Sequence, residues 1–252
     1  MSLRDYLFYE EPSIQLYCGD CREILLLLED RARLVLTDPP YGIVGGLFWR
    51  RSGTALENWD NNPENMQVDD WAGRASTVML SDAYLAEFCS MQIPHLEATF
   101  ERHRKAGLIP WTRYLIVKSS PAPCARPIFV SAFEEAIISR KGGPKWQGTR
   151  YVPNRWIGQT PNRSHDSWGH PTEKPIEPLQ VLVRSLAEVG ATVLDPFSGS
   201  GTTLEAAKLE HRRAIGIEIE PKYCELTVKR LRQEILPLSL PILAQTENLT
   251  LL

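Results

Sequence analysis

ATVLDPFSGSGTTLEAAKLE (Ala191 to Glu210) reads as a strand ending on an acid, a turn carrying two glycines, and a helix opened by two threonines. RAIGIE (Arg213 to Glu218) is a second apolar run ending on an acid, and PKYCELTVKRLRQEIL (Pro221 to Leu236) a second helical pattern. The segment is therefore a βαβ unit. Upstream, SIQLY (Ser13 to Tyr17), RLVLT (Arg33 to Thr37), STVML (Ser76 to Leu80), RYLIVK (Arg113 to Lys118) and FEEAIIS (Phe133 to Ser139) read as further strands. CREILLLLED (Cys21 to Asp30), HLEATFERHRKA (His95 to Ala106) and Pro175 to Val189 read as helices between them. The alternation predicts an α/β fold with a mostly parallel sheet and helices on both faces.

The glycine turn DPFSGSGTT (Asp195 to Thr203) brings backbone N–H groups and a helix N-terminus close to a ligand. A phosphate-binding P-loop needs a lysine where Gly201 stands, and a GxGxxG dinucleotide fingerprint fails because Leu204 holds the last glycine position. What fits is an adenosine-type ligand without a phosphate anchor. Glu218, at the end of the next strand, is placed for ribose hydroxyls, and Asp195 for a cationic amino group. Together they suit S-adenosylmethionine, with Phe197, Ser198, Gly199, Gly201 and Thr202 as the turn residues around it. The bland reading is a turn that only joins a strand to a helix.

At 252 residues, 43% hydrophobic and 23% charged, the chain is expected to be one globular domain over 1–252, with an inserted loop at about 43–75. No apolar run is long enough to cross a bilayer, and MSLRDYLFYEEP lacks the layout of a signal peptide, so a cytoplasmic protein is expected. Five cysteines without a secretory signal argue against a disulfide framework. Cys18 and Cys21 form a CxxC with no second ligand pair, which reads as two free thiols and not as a metal site. The net charge of −3 excludes a globally basic protein, but cations cluster locally. Arg140, Lys141, Lys145, Arg150, Arg155 and Arg163 run without an intervening acid, interleaved with Trp146, Tyr151 and Trp156.

Two more stretches stand out. TDPPYG (Thr37 to Gly42) ends a buried strand on an acid, two prolines and an aromatic, and HPTEKP (His170 to Pro175) opens a helix. With the glycine turn, these boxes resemble the S-adenosylmethionine-dependent DNA amino-methyltransferases of the beta group, whose motif order is circularly permuted. In that family a DPPY motif comes first, an H-P-T-x-K-P box lies between, and the cofactor glycine motif comes last. KSSPAP (Lys118 to Pro123), Glu135 and RKG (Arg140 to Gly142) look like a segment of the adenine-modifying members, with Ser120 where Asn is usual. The resemblance covers about Leu16 to Leu231 and implies a Rossmann-like methyltransferase sheet.

It also implies roles. Asp38 and the Pro39 carbonyl would accept the two N–H groups of an exocyclic amine, Pro40 would stiffen the segment, and Tyr41 would stack on the base. Such an amine lies inside a duplex, so the base must be flipped out. Asp20 would contact the adenine of the cofactor, Asp38 would also border the cofactor, and Thr172 and Lys174 would lie near its methionine end. A target-recognition segment is expected at about 140–168, with Lys145, Arg150, Arg155 and Arg163 on double-stranded DNA. Arg50 and Arg51, beyond Gly45 and Gly46, belong to a candidate lid.

Asp before PPY favours adenine N6 over cytosine N4. An RNA or protein-amide methyltransferase is a second reading, against which the motif order argues, and a catalytically silent binding module is a third. The resemblance leaves open a homodimer and a companion restriction endonuclease, and it calls for no metal and no membrane.

Overall fold

Leu34 and Leu36 point into one hydrophobic cluster and Val35 into another, all three fully buried, which is the period-two signature of a strand covered on both faces. This strand, β3 (Ala32–Thr37), lies near the centre of a nine-stranded sheet in the computed structural model, which describes residues 2–29, 31–40, 71–89, 93–119, 132–149, 151–159 and 174–233.

The other strands are β1 (Leu7–Glu11), β2 (Ile14–Cys18), β4 (Met79–Cys89), β5 (Ile109–Lys118), β6 (Phe133–Lys141), β7 (Arg155–Gly158), β8 (Thr192–Asp195) and β9 (Arg213–Glu218). Across the sheet they run β1-β2-β9-β8-β3-β4-β6-β5-β7. Only β1 at one edge and β6 between β4 and β5 pair antiparallel to their neighbours. All the other pairs are parallel.

Helices α4 (Ile176–Leu186), α5 (Thr202–Leu209) and α6 (Pro221–Leu231) close one face, through Leu179, Val183, Leu204 and Cys224. Helices α1 (Cys21–Ile24) and α2 (Trp71–Val78) close the other, through Ile24, Trp71 and Ala75. Beside α2, helix α3 (Ile93–Lys105) is tied to the sheet by a buried polar network. Glu87 of β4 accepts from Arg102 at 2.6 Å and lies 2.8 Å from His103 Nε2, and His103 Nδ1 lies 2.7 Å from Ser139 Oγ of β6. Glu87, His103 and Ser139 are almost fully buried, so these contacts satisfy groups that water cannot reach.

Several expectations need correction. STVML is not a strand: residues 76–78 are the last turn of α2, and β4 begins at Met79. Of the helix expected over Cys21–Asp30, only Cys21–Ile24 is α1, opened by the Asp20 cap; from Leu25 the chain passes into a turn whose hydrogen bonds end at Leu27. Residues 71–75 of the expected insertion are helical, with Trp71 buried against the sheet. Within the segment at 140–168, Arg140 and Lys141 end β6 and Arg155–Gly158 form the edge strand β7, an element not expected from the sequence.

Candidate active site

Chain connections leave β8 and β3 in opposite directions. From β8 the chain passes through α5 to β9 on one side, whereas from β3 it proceeds to β4 on the other. Neighbouring parallel strands with this property open a crevice at their carboxyl ends, where ligands of open α/β sheets bind. Thr37 ends β3 and Asp195 ends β8, and Thr37 Oγ1 donates to Asp195 Oδ1 at 2.6 Å. The two halves of the candidate site are thereby joined by a direct hydrogen bond.

The glycine turn follows Asp195. Gly199 and Gly201 have φ of 52° and 82°, a left-handed conformation that side chains resist. A Cβ on Gly201 would stand 2.6 Å from Thr227 Cγ2, so only glycine lets the turn fold back onto α6. Thr227 Oγ1 donates to the Gly199 carbonyl at 3.0 Å and fixes the turn from below. At the end of β9, Glu218 accepts from Gly199 N–H at 2.8 Å and from Glu220 N–H at 2.8 Å. Burial pushes its carboxyl up to about 7 despite these donors, with the charge on Asp195 adding to the rise. Burial likewise pushes Asp195 up to about 6, against hydrogen bonds from Thr37, Thr203 and the Phe197 N–H. Two costly buried acids side by side mark a site built to meet polar or cationic groups.

Ser198 Oγ is buried in the turn and has no hydrogen-bond partner among the described residues. Phe197 packs edge-on to Trp71, with ring centroids 5.5 Å apart. Asp20 follows β2, where Gly19 N–H donates to the Glu218 carbonyl at 2.9 Å, so the ends of β2 and β9 lie together. Arg22 grips Asp20 at 2.5 Å; burial works against the ionised carboxyl, and the Arg22 contacts more than offset it. Of the CxxC, Cys21 is buried, its thiol pushed up to about 12 by burial, and both cysteines are free. Among the described residues no cluster could hold a metal.

Asp38, the next residue after β3, forms an ion pair with Lys174, which precedes α4. Lys174 Nζ also lies 3.1 Å from Glu134 Oε2 and 4.9 Å from the Phe88 ring centroid. Burial opposes the charge on Lys174, but Asp38 and Glu134 outweigh it and raise its pKa. Lys174, expected near the methionine end of a cofactor, is thus placed on the catalytic candidate Asp38 itself. Reading from sequence missed Glu134, which carries no motif.

The cationic residues separate. Arg155 is in register with Leu115, Leu115 with Glu135, and Glu135 with Cys89, a row two residues beyond the one holding Thr37 and Glu87. It lies on the site's side of the sheet. Lys145 follows Lys141, which pairs with Ala83 toward the opposite end of the strands and donates to the Ser76 carbonyl at 2.6 Å. The structure does not bring Lys145 to Asp38. Arg140 stacks on Trp111 at that same far end, 4.9 Å from the ring centroid. Tyr41, Arg50, Arg51, Arg150, Arg163 and Thr172 lie outside the described residues.

Known proteins agree with this geometry. The family model N6_N4_Mtase, described as DNA methylase, matches residues 32–229. The type II methyltransferase M2.DpnII of Streptococcus pneumoniae is 40% identical over 251 residues, covering 90% of this chain and 92% of its own. TTHA0409 of Thermus thermophilus, solved in complex with S-adenosyl-L-methionine, is similar with a TM-score of 0.58 and 26% identity, covering 85% of this chain and 93% of that one. The cytosine-N4-specific PvuII DNA methyltransferase shares the fold, with a TM-score of 0.66 and 18% identity over 90% of this chain and 89% of its own. With Asp38 directly after β3, the glycine turn after β8 and that motif order along the chain, this protein belongs to the N6/N4 DNA methylase family, as a beta-group DNA amino-methyltransferase.

Proposed function

We propose that this chain transfers the methyl group of S-adenosylmethionine to the N6 amine of an adenine flipped out of double-stranded DNA. The observation that carries the reading is the meeting of Asp38 with the Asp195 and Glu218 cradle at one sheet edge, linked through Thr37. The cradle suits the cofactor. Two backbone donors fix the Glu218 carboxylate, which would take the ribose hydroxyls, Asp195 is a buried acid that would take the methionine ammonium, and Ser198 Oγ is a buried polar atom without a partner among the described residues. When bound, S-adenosylmethionine supplies an electrophilic sulfonium methyl.

The residues of the chain do the rest. An exocyclic amine is conjugated and weakly nucleophilic, so acceptors must favour a tetrahedral nitrogen whose lone pair faces the methyl group. Asp38 carboxylate and the carbonyl of the buried Pro39 are those acceptors, and consecutive prolines fix the carbonyl direction in advance. As the N–C bond forms and the methyl–sulfur bond breaks to leave a neutral thioether, the nitrogen would gain the positive charge beside Asp38 and lose its extra proton through that carboxylate to solvent.

Adenine is favoured over cytosine because an acid, Asp38, begins the PPY motif. Cytosine N4 is the second reading, favoured by the shared fold of the PvuII enzyme. Tyr41 is proposed to stack on the flipped base, Thr172 to border the cofactor, and Arg50, Arg51, Arg150, Arg155 and Arg163 to hold the DNA. Such a reaction belongs in the cytoplasm, and a homodimer or a companion endonuclease is compatible with it.

The test is incubation of the purified protein with S-adenosylmethionine and unmethylated DNA, followed by nucleoside mass analysis, with Asp38→Ala as control. N6-methyladenine made only by the intact protein is expected. N4-methylcytosine would keep the mechanism and overturn the base assignment, and absence of any methylated base would overturn the reading.

A further inference from the structure

Four charges of alternating sign run along the carboxyl edge of the sheet. Asp38 follows β3, Lys174 reaches in from the start of α4, Glu134 lies in β6, and Lys118 ends β5. Lys118 Nζ contacts Glu134 Oε1 at 2.7 Å, and Lys174 Nζ contacts Glu134 Oε2 at 3.1 Å. Each Glu134 oxygen therefore meets a different ammonium. Phe88 of β4 lies against the same Lys174 ammonium, on the strand between Asp38 and Glu134.

A lysine ammonium is a point charge on a four-carbon stem, with three rotatable donors and no preferred plane. Paired with Asp38 alone, it would follow any rotation of that carboxylate. Held from the other side by Glu134 and against the Phe88 ring, it has one place to be. We propose that Glu134 is a positioning residue for methyl transfer: braced by Lys118, it anchors Lys174, which in turn fixes the orientation of the Asp38 carboxylate toward the base amine. The inference rests on the function proposed above.

The charges agree with the geometry. Burial alone would push Glu134 up, yet Lys174 and then Lys118 hold its carboxyl down at about 2, so it stays ionised at every working pH. The set is two ammoniums and two carboxylates, formally neutral, and Lys174 is 11% exposed. A surface ion pair would contribute little to stability and could be lost without consequence. This one touches the acid that the reaction needs.

The test uses the full chain and its Glu134→Gln variant, which keeps the shape and one acceptor but removes the charge. The single-turnover rate is expected to fall by about 10- to 100-fold, the range that a small misplacement of a reacting group produces. KM values for cofactor and DNA should stay within about twofold, the pattern of an interaction made in the transition state; the melting temperature should fall, because the charge that Lys174 and Lys118 hold on Glu134 also stabilises the fold, so rates are compared at a temperature where both proteins are folded. In the cofactor-free protein, the Lys174 ammonium, followed by NMR with labelled lysine, should titrate at lower pH in the variant. Lys118→Met, which unbraces Glu134 without removing it, should lower the rate in the same direction by less. A variant with the parental rate, or one whose loss appears in KM, overturns the proposal. Should the parent itself methylate no DNA, the functional reading fails separately, and an unmoved Lys174 signal then overturns the positioning claim as well.

Discussion

Thr37 Oγ1 donates a 2.6 Å hydrogen bond to Asp195 Oδ1 across 158 positions of sequence, and both residues are buried. The bond joins the strand that presents Asp38 to the strand that opens the glycine turn. Thr37→Val keeps the shape and removes the only side-chain donor that β3 offers to this carboxylate among the described residues. A loss of about 1–3 kcal/mol is expected, because a buried acceptor is left short of a partner. Asp195, already raised to about 6, should titrate higher still. Chemical denaturation measures the first effect, and carboxyl NMR the second.

Glu218 predicts a pH dependence. Its folded-state pKa of about 7 exceeds the ordinary 4.5, so its contribution to stability is full below 4.5 and is lost as pH rises through about 7. Ribose hydroxyls donate to the ionised form, which reverses the trend for binding. Cofactor affinity is therefore expected to tighten as pH rises from about 6 to about 8, with proton release on binding near neutrality. Calorimetry in buffers of different ionisation heat reads the protons, and Glu218→Gln should flatten the profile while weakening affinity throughout.

Gly201→Ala tests the turn. A side chain at φ 82° with its Cβ 2.6 Å from Thr227 should lower stability by about 1–3 kcal/mol and move the turn off the cofactor. Thermal melting and cofactor titration should both change. Gly107→Ala is the control: φ is similar at 75°, but among the described residues nothing stands within 4 Å of the added carbon, so melting should shift less and cofactor affinity should hold.

Arg155 and Lys145 make opposite predictions. Arg155→Ala should weaken DNA binding and lower the slope of log affinity against log salt by about 1, as the loss of one phosphate contact does. Lys145→Ala, toward the other end of the strands, should leave affinity and slope unchanged. Fluorescence anisotropy over a salt series distinguishes the two, and equal losses would sink the assignment of DNA to the carboxyl edge.

Much of this site was legible in the residues. Asp38, Asp195 and Glu218 each end an apolar run, and a strand-end acid in a parallel sheet has few places to go but the ligand edge. The glycines declared themselves because their spacing fits a turn that no side chain tolerates. STVML misled because a short apolar run carries no period, and the burial of Trp71, Ala72 and Ala75 on one helix face decided it. SDAYLAEFC, the body of β4, has weak strand preference and becomes a strand by being buried between β3 and β6. Glu134 was invisible because its partners Lys118 and Lys174 are brought to it only by strand order. Lys145 and Arg155 are ten residues apart in sequence, yet β6 ends at one edge and β7 rises toward the other.

Strand order also bears on how the chain is made. β3 has β4 on one side, synthesised about fifty residues later, and β8 on the other, which leaves the ribosome only after more than a hundred and fifty residues. Throughout that interval Leu34, Val35 and Leu36 present an open backbone edge in the middle of the future sheet. The nascent protein carries Asp38 long before Asp195 and Glu218 exist beside it, and a ribosome stalled ahead of Thr192 should release a fragment prone to edge-to-edge association.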